Sequence, residues 1–432
     1  MNEMELVDEF RALPGRYLTE GWVGIGGALK ARNEDFVVEE MPAYEPSGSG
    51  EHVYLWIEKN GRPTLEVVQA VAKHFRVKAR AVGYAGMKDK HAITRQYLSV
   101  HSFDDSPIET LAIPGVKVLR ASRHRNRLRI GHLKGNRFTI RIREVDASAA
   151  GQALLILQYF EEHGGPNYFG EQRFGYRGLN HQIGRAYLLQ DWKLTCDYLL
   201  GRPVDESDGN YGARVAYEEG DYRKSAGLWS GTLACERKVI WNLARGDDYE
   251  KAFLSANRSH LRFFVTAFQS AIFNGLLDAR IASGEFGKWI EGDVACKHVN
   301  GAMFKIGQAE LDDGDILVRG KRLEISPSGP LWGFRMMEAD GEVRKREREG
   351  LARTGIEMSC FDTPPHDVAG ARRPFRIPVG EGCVESGEDE FGSFIEVSFT
   401  LPRGSFATAI LREIMKTGNR AQPWGTARDY GG

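Results

Sequence analysis

The chain has few cysteines and no long apolar run. Its 432 residues include five cysteines, which lie far apart and form no Cys-x-x-Cys pair. A disulfide framework and a zinc ribbon are therefore disfavoured, and a reducing cytoplasm is the expected compartment. No stretch approaches the roughly 18 apolar residues of a membrane span. The acidic N-terminal segment lacks the basic and then apolar pattern of a secretory signal, so we expect neither a membrane protein nor an exported one.

A second absence concerns acidic residues. The 27 residues from Lys117 to Arg143, here called the basic stripe, contain ten lysines and arginines but neither Asp nor Glu. The net charge of the whole chain is −1, so positive charge is concentrated in this stripe. Such a stripe is typical of a surface that follows nucleic-acid phosphates, and the alternative is a solvated basic face. The phosphate-binding wall is expected to include Arg123, Arg125, Arg127 and Arg129.

Strand-like and helix-like patterns are mixed along the chain, whose length favours two domains. Residues 137–143 alternate between two sets of side chains, which predicts a strand with one packed and one exposed face. Thr64 is expected to cap a helix that continues to Phe75, and a second helix is expected over 147–163. Residues 201–231 are rich in Gly, Asp, Glu and Tyr, which favours surface loops. Further strands are expected at 96–100, 116–121 and 128–132.

A short polar loop with Asp89 at its centre separates two strand-like segments. Gly83 and Gly86 allow a tight turn or a close approach of the backbone. The surrounding basic and polar groups suit a carboxylate that stays ionised while partly buried; they are Lys88, Lys90, His91 and Arg95. The spacing excludes a phosphate loop, because two residues rather than four separate the glycines and no Gly-Lys-Ser/Thr follows. By spacing alone, an Asp in this setting is more often a turn former or a helix cap than a catalytic residue.

Residues 86–96, Gly-Met-Lys-Asp-Lys-His-Ala-Ile-Thr-Arg-Gln, resemble the signature of the TruD family of tRNA pseudouridine synthases. Asp89 matches the catalytic aspartate of that family. Four further blocks resemble the other family motifs in the same order: Leu29 to Val38, Leu133 to Phe138, Pro166 to Gly175 and Gly404 to Thr408. Five ordered blocks over residues 29–408 make the resemblance specific.

The resemblance implies an α+β fold in which a mixed or antiparallel-sheet pseudouridine synthase core is discontinuous and interrupted by an inserted α+β family-specific domain. Carried onto this chain, the core comprises 1–165 and 371–432, and the inserted domain comprises 166–370. The implied activity is isomerisation of uridine, at tRNA position 13 by family expectation, to pseudouridine after the base is flipped. The expected partner is tRNA, and neither a cofactor, a metal, a membrane nor an obligatory protein partner is expected.

The resemblance also assigns substrate-binding roles. It places aromatic side chains and one amide side chain around the extruded base. A flipped base usually stacks on aromatic rings, and an amide hydrogen-bonds to its edge. Lys30 is expected to pair with Asp89, and its alternative is an exposed lysine. The alternative role of the aromatic side chains is packing in the core, and the alternative role of the amide residue is to form a turn. The expected substrate-binding residues are Lys30, Phe36, Asn136, Phe138 and Phe406.

Two other function classes remain open from the residues alone. A non-catalytic RNA-binding protein would use the same scaffold without turnover. A metal-dependent nuclease would gather several acidic or His ligands, which a single Asp among lysines does not provide. The sequence therefore favours an isomerase in which Asp89 is the catalytic residue.

Overall fold

The computed structural model describes residues 12–29, 31–206, 208–362 and 368–417. The chain forms two compact units. The first, here called the sheet unit, consists of Thr19–Gly165 and Ile377–Gly418. The second, here called the helical unit, consists of Pro166–Arg376 together with residues that precede Thr19. The division into domains at residues 165 and 370 stays a prediction.

Both units contain helices and strands. The strands are β1 (Phe36–Pro42), β2 (His52–Asn60), β3 (Gly83–Tyr84), β4 (Ile93–His101), β5 (Val116–His124), β6 (Leu133–Arg143), β7 (Gly165–Pro166), β8 (Val294–Lys297), β9 (Met303–Lys305), β10 (Ile325–Leu331), β11 (Ala371–Pro374), β12 (Arg376–Ile377), β13 (Gly380–Asp389) and β14 (Gly392–Pro402). The helices are α1 (Thr64–His74), α2 (Ser106–Glu109), α3 (Ala150–His163), α4 (Asn180–Leu188), α5 (Trp192–Leu200), α6 (Tyr211–Glu218), α7 (Tyr222–Leu228), α8 (Ala234–Ala244), α9 (Tyr249–Leu254), α10 (Arg258–Ala282), α11 (Gln308–Asp313), α12 (Asp315–Lys321), α13 (Gly341–Ala352) and α14 (Ala407–Met415).

Eight strands of the sheet unit form one mixed sheet. Their order is β13-β14-β6-β1-β4-β2-β5, and β3 pairs with β4. Strands β1 and β4 run parallel, whereas the other neighbours are antiparallel. The predicted α+β class with a mixed sheet is confirmed.

Alternation along β2 and β4 directs their apolar side chains toward α1. Val53, Leu55 and Ile57 are buried against Val67 and Val71 of this helix, which presents them at helical spacing. Burying each such side chain contributes about 1.5–3 kcal/mol relative to exposure. We call this side of the sheet the inner face.

Strand β6 follows the predicted alternation. Phe138, Ile140 and Ile142 are buried on the inner face, as the sequence indicates. Arg143 departs from the expected exposed set. Its guanidinium is buried in a bidentate ion pair with Asp35, at 2.6 and 2.8 Å. It also contacts Asp389 at 2.8 Å, so Arg143 joins the start of β1 to the ends of β6 and β13.

The strand predicted at 128–132 is wrong. These residues form a loop because their backbone groups bond outside a ladder. The Leu128 amide donates to the Ser99 hydroxyl at 3.0 Å, and the Gly131 amide donates to the Ala85 carbonyl at 2.8 Å. Of the basic stripe, residues 125–132 therefore lie between β5 and β6.

The prediction of surface loops at 201–231 is also wrong, since this segment contains α6 and α7. The side chain of Asp221 accepts from the Lys224 amide and caps α7. The Gly and Asp residues that suggested loops mark the ends of these short helices. By contrast, the helix predicted over 147–163 is confirmed as α3, which begins at Ala150 after a short 3₁₀ turn.

The helical unit is built around α10, which has 25 residues. Phe264, Phe268 and Ile272 of this helix are buried in a core shared with α4 to α9. A four-stranded sheet, ordered β11-β10-β8-β9, completes the unit. In the described residues, no helix combines the length and the apolar character that crossing a membrane requires.

Candidate active site

Buried side chains fix the backbone of the Asp89 loop, defined as residues 85–92 between β3 and β4. The Thr64 hydroxyl accepts from the Lys88 amide at 2.9 Å and donates to Gln96 Oε1 at 3.0 Å. The Gln96 amide nitrogen donates to the Gly86 carbonyl at 3.1 Å. Thr64 is the first helical residue of α1, and its side chain does not cap that helix. The predicted cap is therefore wrong, because the hydroxyl binds the loop instead.

Gly83 and Gly86 differ in what they require. A Cβ at Gly83 would lie 2.3 Å from the Leu128 carbonyl oxygen, so the close approach needs glycine there. A Cβ at Gly86 would meet no atom closer than 3.8 Å. Packing against the loop at residue 128 therefore requires glycine at position 83, and a close approach of the backbone to a ligand stays a prediction.

Lys59 is the penultimate residue of β2, and its ammonium lies in the interior. The residue is 0% exposed and continues the inner-face alternation of Leu55 and Ile57. Its Nζ donates to the carbonyl oxygen of Asp89 at 2.6 Å. Burial lowers the pKa of Lys59 to about 8, and the Asp89 charge opposes that shift. The ammonium therefore anchors the loop backbone and lies within the field of the Asp89 carboxylate.

The half-buried Asp89 side chain also interacts electrostatically with the ammonium of Lys88. Burial lowers the pKa of Lys88, and the charges of Glu40 and then Asp89 oppose this shift. Two buried ammonium groups thus lie within the field of the Asp89 carboxylate. Arg95 does not lie beside Asp89, although the sequence predicted it among the basic groups around that residue. It lies on the opposite face of the sheet and pairs with Glu39 and Glu58 at 3.0 Å each, because strand alternation turns it away from Gln96.

Lys88 connects Glu40 to Asn136. Its Nζ lies 3.2 Å from Glu40 Oε2 and 2.6 Å from Asn136 Oδ1. Glu40 also accepts from the Tyr97 amide at 3.3 Å. Burial raises the pKa of Glu40 and lowers that of Lys88, while the opposite charge of each resists the shift in the other. We assign the pair as charged, since each group has its counter-charge and further hydrogen bonds.

The predicted aromatic residues Phe36 and Phe138 lie side by side on the inner face. Their ring centroids are 6.5 Å apart in an edge arrangement, and Phe138 is 5.6 Å from Phe399. Phe36 is 2% exposed and Phe138 is 7% exposed. Phe138 is two residues from Asn136 along β6, so their side chains share a face. The packing supports a core role, and base stacking stays a prediction.

We expect Phe138→Ala to lower the free energy of unfolding by about 3–5 kcal/mol, because it removes a large side chain from between Phe36 and Phe399. Phe103→Ala is the control, since Phe103 is 76% exposed and its loss should leave stability nearly unchanged. Chemical denaturation measures both. Normal melting combined with slow turnover would instead indicate that Phe138 acts on the substrate.

The other two predicted substrate-binding residues are placed differently. Phe406 is half-buried and directly precedes α14. The turn before it lies beside the start of β6, where the Arg403 amide donates to the Lys134 carbonyl at 3.1 Å. Lys30 lies outside the described residues, and its pairing with Asp89 stays a prediction.

Carboxylates from other segments neutralise half of the basic stripe. Arg120 pairs with Glu45 at 2.9 Å and Arg141 pairs with Glu396 at 2.8 Å. In the described structure, five of the ten basic residues have such partners: Arg120, Arg123, Arg137, Arg141 and Arg143. Arg123, expected in the phosphate-binding wall, is thus engaged by Asp105.

Two arginines of the stripe that have no carboxylate partner in the described structure line a groove on the α1 side of the sheet unit, and Arg127 donates to the Val82 carbonyl at 3.1 Å. Arg127 and Arg129 are exposed and border a groove of about 760 Å³ together with Arg80. Leu65 and Ile130 add exposed apolar surface, at 39% and 76%. No acidic residue is among the described residues that line it. Cations beside an apolar surface suit phosphates and bases of a nucleic acid.

Sequence reasoning missed Lys59, Glu40 and Gln96. Each is a polar residue in line with buried apolar residues of its strand, such as Ile57 before Lys59 and Leu98 after Gln96. A buried polar residue at the end of an apolar alternation is therefore the signal that could have identified all three.

Comparisons with known proteins agree with this site. A family model described as tRNA pseudouridine synthase D (TruD) matches residues 13–414. The tRNA pseudouridine synthase D of Geobacter metallireducens is 43% identical over 406 residues, covering 93% of this chain and 98% of the relative. The protein of the same name from Thermus thermophilus is 37% identical over 417 residues, covering 96% and 95%.

A solved structure shows the same fold. A crystal structure from Methanosarcina mazei that carries the TruD description superposes with a TM-score of 0.78 at 28% identity. The match covers 96% of this chain and 99% of that chain. Similarity therefore extends over both compact units.

Proposed function

Since the chain belongs to the TruD family of tRNA pseudouridine synthases, as its five sequence blocks predict, we propose that Asp89 is its catalytic carboxylate. The protein is a tRNA pseudouridine synthase and thus an isomerase. The observation that carries the proposal is the placement of Asp89 in a backbone fixed by Thr64, Gln96 and Lys59, within the field of two buried ammonium groups.

The reaction requires one carboxylate in a fixed position. The N1–C1′ bond of uridine breaks, the uracil turns, C5 bonds to C1′, and the C5 proton leaves while N1 gains one. Asp89 can attack C1′ or remove a proton from C2′, and both routes need its ionised oxygen. The ammonium groups of Lys59 and Lys88 interact with the Asp89 charge and place positive potential beside it.

The substrate is a tRNA, and we propose position 13 as the site of modification in a cytoplasmic protein. The sequence resemblance supports the position, and family membership supports the RNA class. Incubating unmodified tRNA with the protein and mapping pseudouridine at each position tests the proposal. Conversion elsewhere would contradict position 13, and no conversion would favour the non-catalytic RNA-binding alternative.

The groove residues Arg80, Arg127 and Arg129 are proposed to contact tRNA phosphates. Replacing any of them with Gln should weaken tRNA binding and lower the slope of log affinity against log salt by about one per lost contact. Arg141→Gln is the control, because Glu396 and Asp389 already engage Arg141. Filter binding over a salt series measures both. An unchanged slope in the groove variants would remove this groove from the binding surface.

A further inference from the structure

The Lys88 ammonium determines which atom of the Asn136 amide faces inward. An ammonium can only donate hydrogen bonds, so the Asn136 atom 2.6 Å from Lys88 Nζ is the carbonyl oxygen. The amide nitrogen then points away. Within the described part of the chain it has no protein partner, and the side chain is half-buried. An unsatisfied amide donor beside the candidate catalytic loop is available to a ligand.

Glu40 makes this arrangement rigid. The side chains of Lys88 and Glu40 are 4% and 1% exposed, and their charged atoms are 3.2 Å apart. Glu40 is itself held by the Tyr97 amide, and β1 pairs Glu40 with Asn136 across the ladder. Reversing the Asn136 amide would place two hydrogen-bond donors against each other in a buried site, which costs more than an ordinary hydrogen bond gains.

We propose that Lys88, held by Glu40, is a positioning residue that fixes the Asn136 amide as a donor to a carbonyl oxygen of the target uracil. The inference rests on the proposed function and adds a basis for base selection. Asn136 is the residue in contact with the base, whereas Lys88 and Glu40 act through it.

The symmetry of uracil explains why a fixed donor suits this reaction. Moving C5 to the place of N1 turns the ring about the axis through N3 and C6, and the same turn exchanges O2 with O4. A donor aimed at one carbonyl therefore meets a carbonyl before and after the turn. Cytosine carries an amino group at position 4, so in one orientation two donors would meet. The fixed amide thus favours uracil over cytosine.

The test compares RNA carrying uridine with RNA carrying 2-thiouridine or 4-thiouridine at the target position, because sulfur is a weak acceptor and the donor meets O2 in one orientation and O4 in the other. Single-turnover conversion gives kcat/KM for each substrate. We expect the wild-type protein to prefer uridine over at least one of the two analogues by about fivefold to tenfold, which corresponds to one hydrogen bond, and equal conversion of all three substrates would overturn the proposal. In the double variant Glu40→Gln/Lys88→Met, which leaves no unpaired buried charge and keeps the acceptor for the Tyr97 amide, the preference should fall toward one.

Two further variants complete the test. Asn136→Asp keeps a partner for the Lys88 ammonium and removes the amide donor, so it should also lose the preference even if the double variant does not fold. Lys73→Met, at an exposed lysine of α1, should retain it. A preference unchanged in the double variant or in Asn136→Asp overturns the positioning role while leaving the proposed function intact. A wild-type protein without turnover contradicts the proposed function itself.

Discussion

Asp89→Asn should fold, bind tRNA and lose turnover by about 10³-fold or more, because the amide has neither the charge nor the basicity that both chemical routes require. The loop would survive the change, since its hydrogen bonds to Lys59, Thr64 and Gln96 involve backbone atoms of the loop. Release of tritium from C5-labelled uridine in tRNA measures turnover.

The same substitution separates catalysis from turn formation. Asn is among the best-tolerated residues in turns, so activity should persist if Asp89 only shaped the loop. Equal melting temperatures and equal tRNA affinities of variant and wild type establish that folding and binding are intact. Substantial turnover by such a variant would falsify the catalytic assignment.

Lys59→Met should lower turnover by about 10²-fold, because it removes a buried, fixed charge that supports the Asp89 carboxylate. Methionine fills nearly the same volume, so the core of β2 and α1 is preserved. Single-turnover conversion of uridine in tRNA measures the rate. Lys73→Met, which changes charge on the surface of α1, should leave the rate unchanged.

The pH dependence of the free energy of unfolding, compared between the wild type and Lys59→Met, tests the burial of Lys59 independently. The pKa of Lys59 falls from 10.5 to about 8 on folding, so between these values the unfolded state binds more protons. The cost of the buried ammonium is fully present below pH 8 and is relieved as the pH rises toward 10.5. Relative to Lys59→Met, the wild type should therefore gain about 3 kcal/mol over this range. Parallel stability curves would show that Lys59 is not desolvated.

Local periodicity predicted much of the sheet unit. Phe138, Ile140 and Ile142 alternate over enough residues to identify both the strand and its buried face. Asp89 could be singled out only because the loop resembles a known signature, since its spacing equally fits a turn. The loop at 128–132 was mistaken for a strand because its composition is strand-like, while its hydrogen-bond partners Ser99 and Ala85 are distant in sequence.

The charged interior of the site was beyond sequence reasoning for a related reason. Glu40 and Asn136 meet because β1 and β6 pair in a register that no short stretch reveals. For the basic stripe, the sequence predicted more unneutralised positive charge than the structure has. Its lack of acidic residues is real, but the carboxylates that engage Arg137 and Arg141 come from residues beyond 377.

The pairing of β6 with β14 also sets an order of events during synthesis. Residues 144–391, which include the helical unit, separate these strands by about 250 residues, and a ribosome adds them in about 12 to 50 seconds. Until β14 emerges, the edge of β6 that pairs with β14 has no strand partner, and unpaired edges promote aggregation. The ion pair between Arg143 and Asp389 likewise cannot form until Asp389 has been synthesised. We therefore expect a chain truncated before Ile377 to aggregate more readily than the full chain.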